Sequence, residues 1–223
     1  MAKRKRQRFA EVTSFPNVYE FGFQDIKEGL KQKGDWRATP FKNNNPIILE
    51  LGCGKGEYTV GLAKKYPDKN FIGIDIKGNR IWRGAKTALD EKISNVAFLR
   101  TRIDFIEACF AKDEVDEIWI TFPDPQPQKK RERKRLTSVR FLDRYKNLMK
   151  QNGVIHLKTD NEPFWQYTME VIADRKYPLL CSTNNLYGQV SDEYIDAASI
   201  QTFYEALFRS KGFKICYLKF KLS

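Results

Sequence analysis

The sequence predicts an α/β protein with a mostly parallel sheet and helices on both of its faces, on three observations. Short apolar runs alternate with longer segments of helical character from Pro46 to Phe220, the pattern of strand–helix–strand units. The first run, Pro46-Ile-Ile-Leu-Glu-Leu51, is almost continuously apolar and ends in glycines, as expected of a strand buried on both faces. Four of the first five runs end in chemically pointed residues: glycines, Asp75, a Pro-Asp-Pro loop and Thr159-Asp160. Open sheets of this kind bind ligands outside the carboxyl ends of their strands.

The elements follow in order. After the first strand, Glu57 to Tyr66 reads as a helix stopped by Pro67. Asn70 to Asp75 is a second strand and Asn79 to Ile93 a second helix. Val96 to Arg100 is the third strand, with a short helix through Ile103 to Phe110. Glu117 to Phe122 is the fourth strand, followed by a proline-rich loop and a helix from Val139 to Lys150. Strand Val154 to Lys158, helix Glu162 to Ala173 and a last strand, Lys214 to Phe220, complete the series. Residues 1–45 read as a basic arm and lead-in, and 46–223 as the α/β domain. No repeat or linker marks a further domain. Tyr177 to Ser199, polar and turn-prone, reads as an exposed excursion.

Size and composition narrow the class. The chain has 223 residues, enough for one domain with a full core, and 41% of them are hydrophobic. No apolar run is long enough to span a bilayer. The N-terminal Met1 to Arg8 is charged but leads into no apolar segment, so it does not read as a secretory signal. The four cysteines are scattered without metal-ligand spacing, which fits reduced thiols, a cytoplasmic protein and no metal site. His156, the only histidine, lies in the apolar run Val154 to Leu157 and is expected in the core. The net charge is +12, of which Lys3 to Arg8 carries +5 and Lys129 to Arg135 another +5. Such concentration suits a polyanion, because each neutralised phosphate releases counterions; a solvated tail and a charged helix start are the bland alternatives.

Glu50-Leu-Gly52-Cys-Gly54-Lys-Gly56 lies between a strand and a helix, where glycines permit a tight turn and close approach to a ligand. A dinucleotide fingerprint is the competitor, but its third glycine comes one position too early here. Glu50 decides the matter. A carboxylate there repels a pyrophosphate but favours the ammonium or sulfonium of S-adenosylmethionine, by roughly 4 kcal/mol at about 4 Å and an effective dielectric near 20. Asp75, 19 residues after Gly56, can accept both ribose hydroxyls. Asp104 reads as a contact near the adenine or as a helix cap.

The loop Phe122-Pro-Asp-Pro-Gln-Pro-Gln128 follows the fourth strand, where this architecture places an acceptor. Its prolines stiffen the backbone and aim Asp124 beside the basic run. Guanine N7 carries a lone pair and no proton, so its methylation needs in-line placement and stabilisation of a developing cation, not a general base. A carboxylate accepting from guanine N1–H and N2–H₂ serves both needs.

Leu49-Glu-Leu-Gly-Cys-Gly-Lys-Gly56 paired with Phe122-Pro-Asp-Pro resembles the tRNA (guanine-N7-)-methyltransferases, as do His156-Leu-Lys-Thr-Asp160 with Glu162-Pro163 and Thr202-Phe-Tyr-Glu205. The resemblance implies a Rossmann-like class I S-adenosylmethionine-dependent methyltransferase fold. It also implies tRNA as partner and guanosine 46 of the variable loop as target. By position it implies that Glu50, Gly52, Gly54, Gly56, Asp75 and Asp104 hold the cofactor and that Asp124 is the catalytic carboxylate. Asp160 and Thr202 to Glu205, including Tyr204, would line the substrate side, with Gln128, Lys129 and Lys130 as further contacts. Gln126, Gln128 and Arg131 stand where the family usually has tryptophan, lysine and histidine. Thr202 and Glu205 also read as a capping box, and Phe203, Tyr204 and Phe208 as core residues. An amino-methyltransferase acting on adenine or cytosine, and a non-catalytic RNA-binding module, are the alternative functions. Monomer and homodimer both suit the length.

Overall fold

The computed structural model describes residues 2–26, 28–188 and 191–222. The basic arm forms helix α1 (Ala2–Val12), of whose first side chains, Lys3 to Lys5, nothing is described. Edge strand β1 (Val18–Glu20) follows, and then β2 (Ile47–Leu51), α2 (Glu57–Lys65), β3 (Asn70–Asp75), α3 (Gly78–Asp90) and β4 (Val96–Arg100). Next come α4 (Ile106–Cys109), β5 (Val115–Thr121), α5 (Val139–Lys146), β6 (Met149–Thr159) and α6 (Glu162–Asp174). The chain ends with β7 (Leu179–Thr183), α7 (Ile195–Ser199), α8 (Phe203–Ser210) and β8 (Cys216–Lys221).

The eight strands form one sheet in the order β1-β4-β3-β2-β5-β6-β8-β7. The first six pair in parallel, and β8 runs antiparallel to both β6 and β7. Crossovers run one way from β2 to β3 and β4, then return to β5 on the other side of β2. The order therefore reverses between β2 and β5, the position at which such sheets open a crevice for ligands.

Side-chain alternation divides the core into two layers. Ile47, Leu49 and Leu51 of β2 pack with Phe141, Leu142 and Tyr145 of α5 and with Phe164 of α6. Ile48 points to the opposite face, among Tyr58 and Leu62 of α2, Ile81 and Ala85 of α3, and Trp119. Glu50 shares that second face by parity, so the strand carries its one carboxylate toward α2. His156 is a core residue, stacked on Trp119 with ring centroids 3.8 Å apart and planes 10° apart. Its Nε2 lies 3.1 Å from a Glu117 carboxylate oxygen and its Nδ1 2.7 Å from the Tyr217 hydroxyl. Burial lowers its pKa. In the neutral tautomer Nε2–H donates to Glu117 and Nδ1 accepts from Tyr217.

Two expectations are corrected. The helix from Val139 stops at Lys146 rather than Lys150, because Met149 already pairs with Val115 and β6 starts there. The stretch from Tyr177 to Ser199 is not an exposed excursion: β7 adds a strand to the sheet, and Tyr177, Leu186 and Ala197 are buried. Gln189 and Val190 of that stretch lie outside the described residues. The arm ends docked on the domain: Val12 is fully buried and Glu11 accepts from the Trp82 indole N–H at 2.7 Å. All four cysteines are buried and free. Among the described residues, no helix is long and apolar enough to cross a membrane and no cluster of His, Cys, Asp and Glu could hold a metal ion.

Candidate active site

The glycine loop after β2 turns through three left-handed residues, Gly52 (φ +78°), Gly54 (+57°) and Gly56 (+71°). A Cβ on Gly52 would meet open space, so its glycine answers to backbone conformation alone. Gly56 is doubly constrained: a Cβ there would come within 2.6 Å of the Phe98 ring and 3.1 Å of the Gly84 Cα. This close approach seats the start of α2 against α3. Glu50 ties the same region together. Its carboxylate accepts from the Thr59 backbone N–H at 2.8 Å, from the Thr59 hydroxyl, and from the Thr121 hydroxyl of β5 at 2.6 Å. Burial pushes its pKa up to about 7, against the opposing hydrogen bonds from Thr121 and Thr59, with the Asp75 charge adding to the rise.

Asp75 ends β3 and is also held by backbone. One carboxylate oxygen accepts from Gly54 N–H at 3.0 Å and the other from Lys77 N–H at 2.8 Å. Each oxygen keeps a lone pair for a further donor. A cavity of about 580 Å³ opens beside it, lined by Gly52, Asp75, Ile76, Ile103 and Asp104. Asp104 lies on the far wall, 3.1 Å from Arg140 and 3.6 Å from Arg102, and its side chain caps no helix.

A second cavity, of about 540 Å³, shares Gly52 with the first and is lined by Glu50, Gly54, Asp124, Asp160, Thr202 and Tyr204 among others. Its floor is the reversal between β2 and β5. The loop after β5 carries exposed Asp124 between two non-glycine residues in the left-handed region, Phe122 (φ 47°) and Gln126 (φ 43°). Such strain costs about 1–3 kcal/mol per residue and persists only where surrounding structure enforces it. Asp124 accepts from the Gln126 backbone N–H at 3.1 Å, which fixes its direction. Asp160, half-buried at the end of β6, has its pKa raised by burial.

Two joined cavities with this donor set fit an elongated, cationic nucleoside cofactor. Asp75 stands ready for a vicinal diol, the glycine loop leaves open space, and buried Glu50 gains a counter-charge. A family model described as "Putative methyltransferase" matches residues 44–218. The chain is 50% identical to the tRNA (guanine-N(7)-)-methyltransferase of Christiangramia forsetii, over 99% of both chains. It is 47% identical to the protein of that name from Bacteroides fragilis, over all of this chain and 87% of the other. The chain belongs to the tRNA (guanine-N(7)-)-methyltransferase family. More distant solved structures share its fold, the Rossmann-like class I methyltransferase fold. A 16S rRNA methyltransferase, KamB, matches 87% of this chain and 96% of its own with a TM-score of 0.63 at 14% identity. An antibiotic-related methyltransferase gives 0.56 at 16% identity, over 79% and 86%.

Most of the residues singled out in this family member's sequence meet at the two cavities, but not all. Gln128, Lys129 and Lys130 start an exposed 3₁₀ turn (Lys129–Lys134) and line neither cavity; of that run Lys134 does. Gly56 is buried beneath the loop and lines neither cavity. Glu205 is fully buried and turned away from the acceptor cavity. It completes the capping box with Thr202, lies 2.7 Å from the Lys158 ammonium and accepts from the Tyr187 hydroxyl at 2.6 Å. Because this polar residue occupies the inward face of α8, Phe203 and Tyr204 are 60% and 51% exposed, not core residues. Sequence reading missed Thr59, which meets Glu50 from the next helix, and Thr121 and Lys158, whose partners lie far along the chain. Lys158 is fully buried, also donates to the Ile200 carbonyl at 3.0 Å, and has its pKa lowered to about 8 by burial, against the pull of Glu205.

Proposed function

We propose that the protein transfers a methyl group to N7 of a guanine in tRNA, at position 46 of the variable loop, with S-adenosylmethionine as donor. The observation that carries this reading is the placement of Asp124: an exposed carboxylate fixed by a strained loop on a cavity continuous with the cofactor-sized one. The cofactor supplies an electrophilic methyl on a sulfonium. Asp75 would hold its ribose, Gly52 and Gly54 would leave room for its backbone approach, Asp104 would stand near the base, and Glu50 would face its positive end. Asp124 would accept from guanine N1–H and N2–H₂, presenting the opposite N7 edge to the donor and offsetting the positive charge that the purine acquires. N7 has no proton to lose, so no general base is required. Asp160, Thr202 and Tyr204 would complete the acceptor wall, and Gln128, Lys129 and Lys130, outside it, would touch the RNA backbone rather than the base. In this reading residues 46–223 form the methyltransferase domain and residues 1–45 its arm and lead-in. The enzyme works in the cytoplasm, as a monomer or homodimer.

The deciding experiment is incubation with labelled S-adenosylmethionine and unmodified tRNA transcripts, followed by nucleoside mass analysis. A fixed-charge N7-methylguanosine at position 46 is the expected product. Methylation of an adenine or cytosine amine would replace the acceptor assignment.

A further inference from the structure

A third concavity, of about 740 Å³, runs between α1, α2, α3 and the start of α8. Arg8, Lys55, Lys64, Arg80 and Arg83 line it together with exposed Phe203. Gly56, Gly61 and Gly84 lie on its wall, and the contact between Gly56 and Gly84 lets the helices meet closely below the cationic rim. Neutralisation from within is slight. Glu57 is the one carboxylate of the lining among the described residues, against five cations, and one of its oxygens accepts from the Phe203 backbone N–H at 3.2 Å. Lys64 pairs with Glu91 outside the lining, at 2.5 Å. Among the described residues, no carboxylate lies within ion-pair distance of Lys55, Arg80 or Arg83. Arg8 rests over the Trp82 ring at 4.5 Å, and Lys55 lies 4.9 Å from the centre of the Phe203 ring. Arg8 closes the N-terminal basic run, while Lys55, Lys64, Arg80 and Arg83 come from scattered positions that neither basic run announced.

The groove is continuous with the acceptor cavity, because Lys55, Glu57 and Arg80 line both. A base that enters that cavity leaves its stack, while its flanking phosphates must run out along the surface. We infer that the groove binds the phosphodiester backbone flanking the target nucleotide, with Phe203 as a stacking surface for the neighbouring base. The inference rests on the RNA-methylating reading given above. Guanidinium groups without carboxylate partners suit phosphate oxygens, and an exposed ring beside a cationic track suits an unstacked base.

The test uses Arg83, which lines the groove but neither cavity. Binding of a tRNA transcript to wild type, Arg83→Gln and Arg83→Lys is measured across a salt series, alongside cofactor affinity by calorimetry and phosphate-ethylation interference. Arg83→Gln is expected to make the log–log salt slope shallower by about one. It should also erase interference at a phosphate close to the methylated guanosine while leaving cofactor affinity unchanged, and Arg83→Lys should retain the slope. A wild-type slope and interference pattern in Arg83→Gln would overturn the inference. Failure of the reading beneath it looks different: wild type itself would then yield no methylguanosine, whatever the slopes.

Discussion

At the carboxyl ends of β2 and β3, two carboxylates are buried and held by backbone and hydroxyl donors close to them in the chain or on the adjacent strand. At the ends of β5 and β6, the carboxylate proposed as central to the reaction, Asp124, is exposed, and the wall opposite it belongs to α8, tens of residues further along. The first half is braced by the sheet itself: Glu50 joins β2 to α2 and β5, and Asp75 accepts from the glycine loop. The second half is tied by a buried long-range clamp, in which Lys158 of β6 meets Glu205 of α8 with both side chains fully buried. A cofactor common to many reactions can be met by a rigid cradle. Assembly of the second half from loops and a separately docked helix suits the proposed role of admitting and releasing a folded RNA.

Breaking the clamp should give the largest effect. Lys158→Met leaves the Glu205 carboxylate buried without its cation, which costs about 3–5 kcal/mol. Urea unfolding should show that loss, and Lys158→Met/Glu205→Gln should recover more than half of it by removing the stranded charge. A single variant as stable as wild type would mean that α8 docks without the pair. Next in size is Asp124→Asn, which keeps the shape of the loop but removes the charge. Single-turnover methyl transfer should fall by about 10²–10³, the range for losing one preorganised electrostatic group. Cofactor affinity should hold within about twofold. Equal losses in both would merge the two halves into one unit.

The same contrast decides what was legible in the sequence. Strands β2, β3 and β4 and the glycine loop were readable nearly to the residue, because their signals are contiguous: apolar runs, glycines and a terminal carboxylate. The hydroxyls that satisfy Glu50 were not, since Thr121 stands 71 residues away and only sheet order makes β5 a neighbour of β2. The capping box at Thr202 was readable as local chemistry, but the outward aromatics of α8 were not. Helical spacing shows that Phe203, Tyr204 and Phe208 are near one another; it does not show that Glu205 claims the buried face. The arm was opaque for a related reason. Its charge says nothing of Glu11 and Val12 docking on α3.

A smaller effect tests the rigidity of the first half. Gly56→Ala forces a Cβ against Phe98 and Gly84 at a left-handed φ, an overpacking and strain cost of about 1–3 kcal/mol. The thermal midpoint should drop, and cofactor affinity with it, because the same loop carries Gly52 and Gly54. Gly52→Ala meets strain but no clash, and should therefore lose less stability.

The smallest predicted effect is the most specific, because it separates bracing from charge recognition at Glu50. Its pKa of about 7 lies above the ordinary value of 4.5. The folded protein therefore holds an extra proton between these values, and the associated stability, complete below about 4.5, is lost as pH rises through 7. At pH 8 the free site contains an ionised, buried carboxylate that a bound cation would relieve. Affinity for S-adenosylmethionine should then weaken by up to about tenfold per unit as pH falls below 7, because Glu50 must shed its proton to meet the cation. Methylthioadenosine, which carries neither the ammonium nor the sulfonium, should bind without that slope. Flat profiles for both would reduce Glu50 to a brace between β2, α2 and β5. A slope confined to the cationic ligand shows that even the rigid half of the site holds charge in waiting, as Asp124 does openly in the other half.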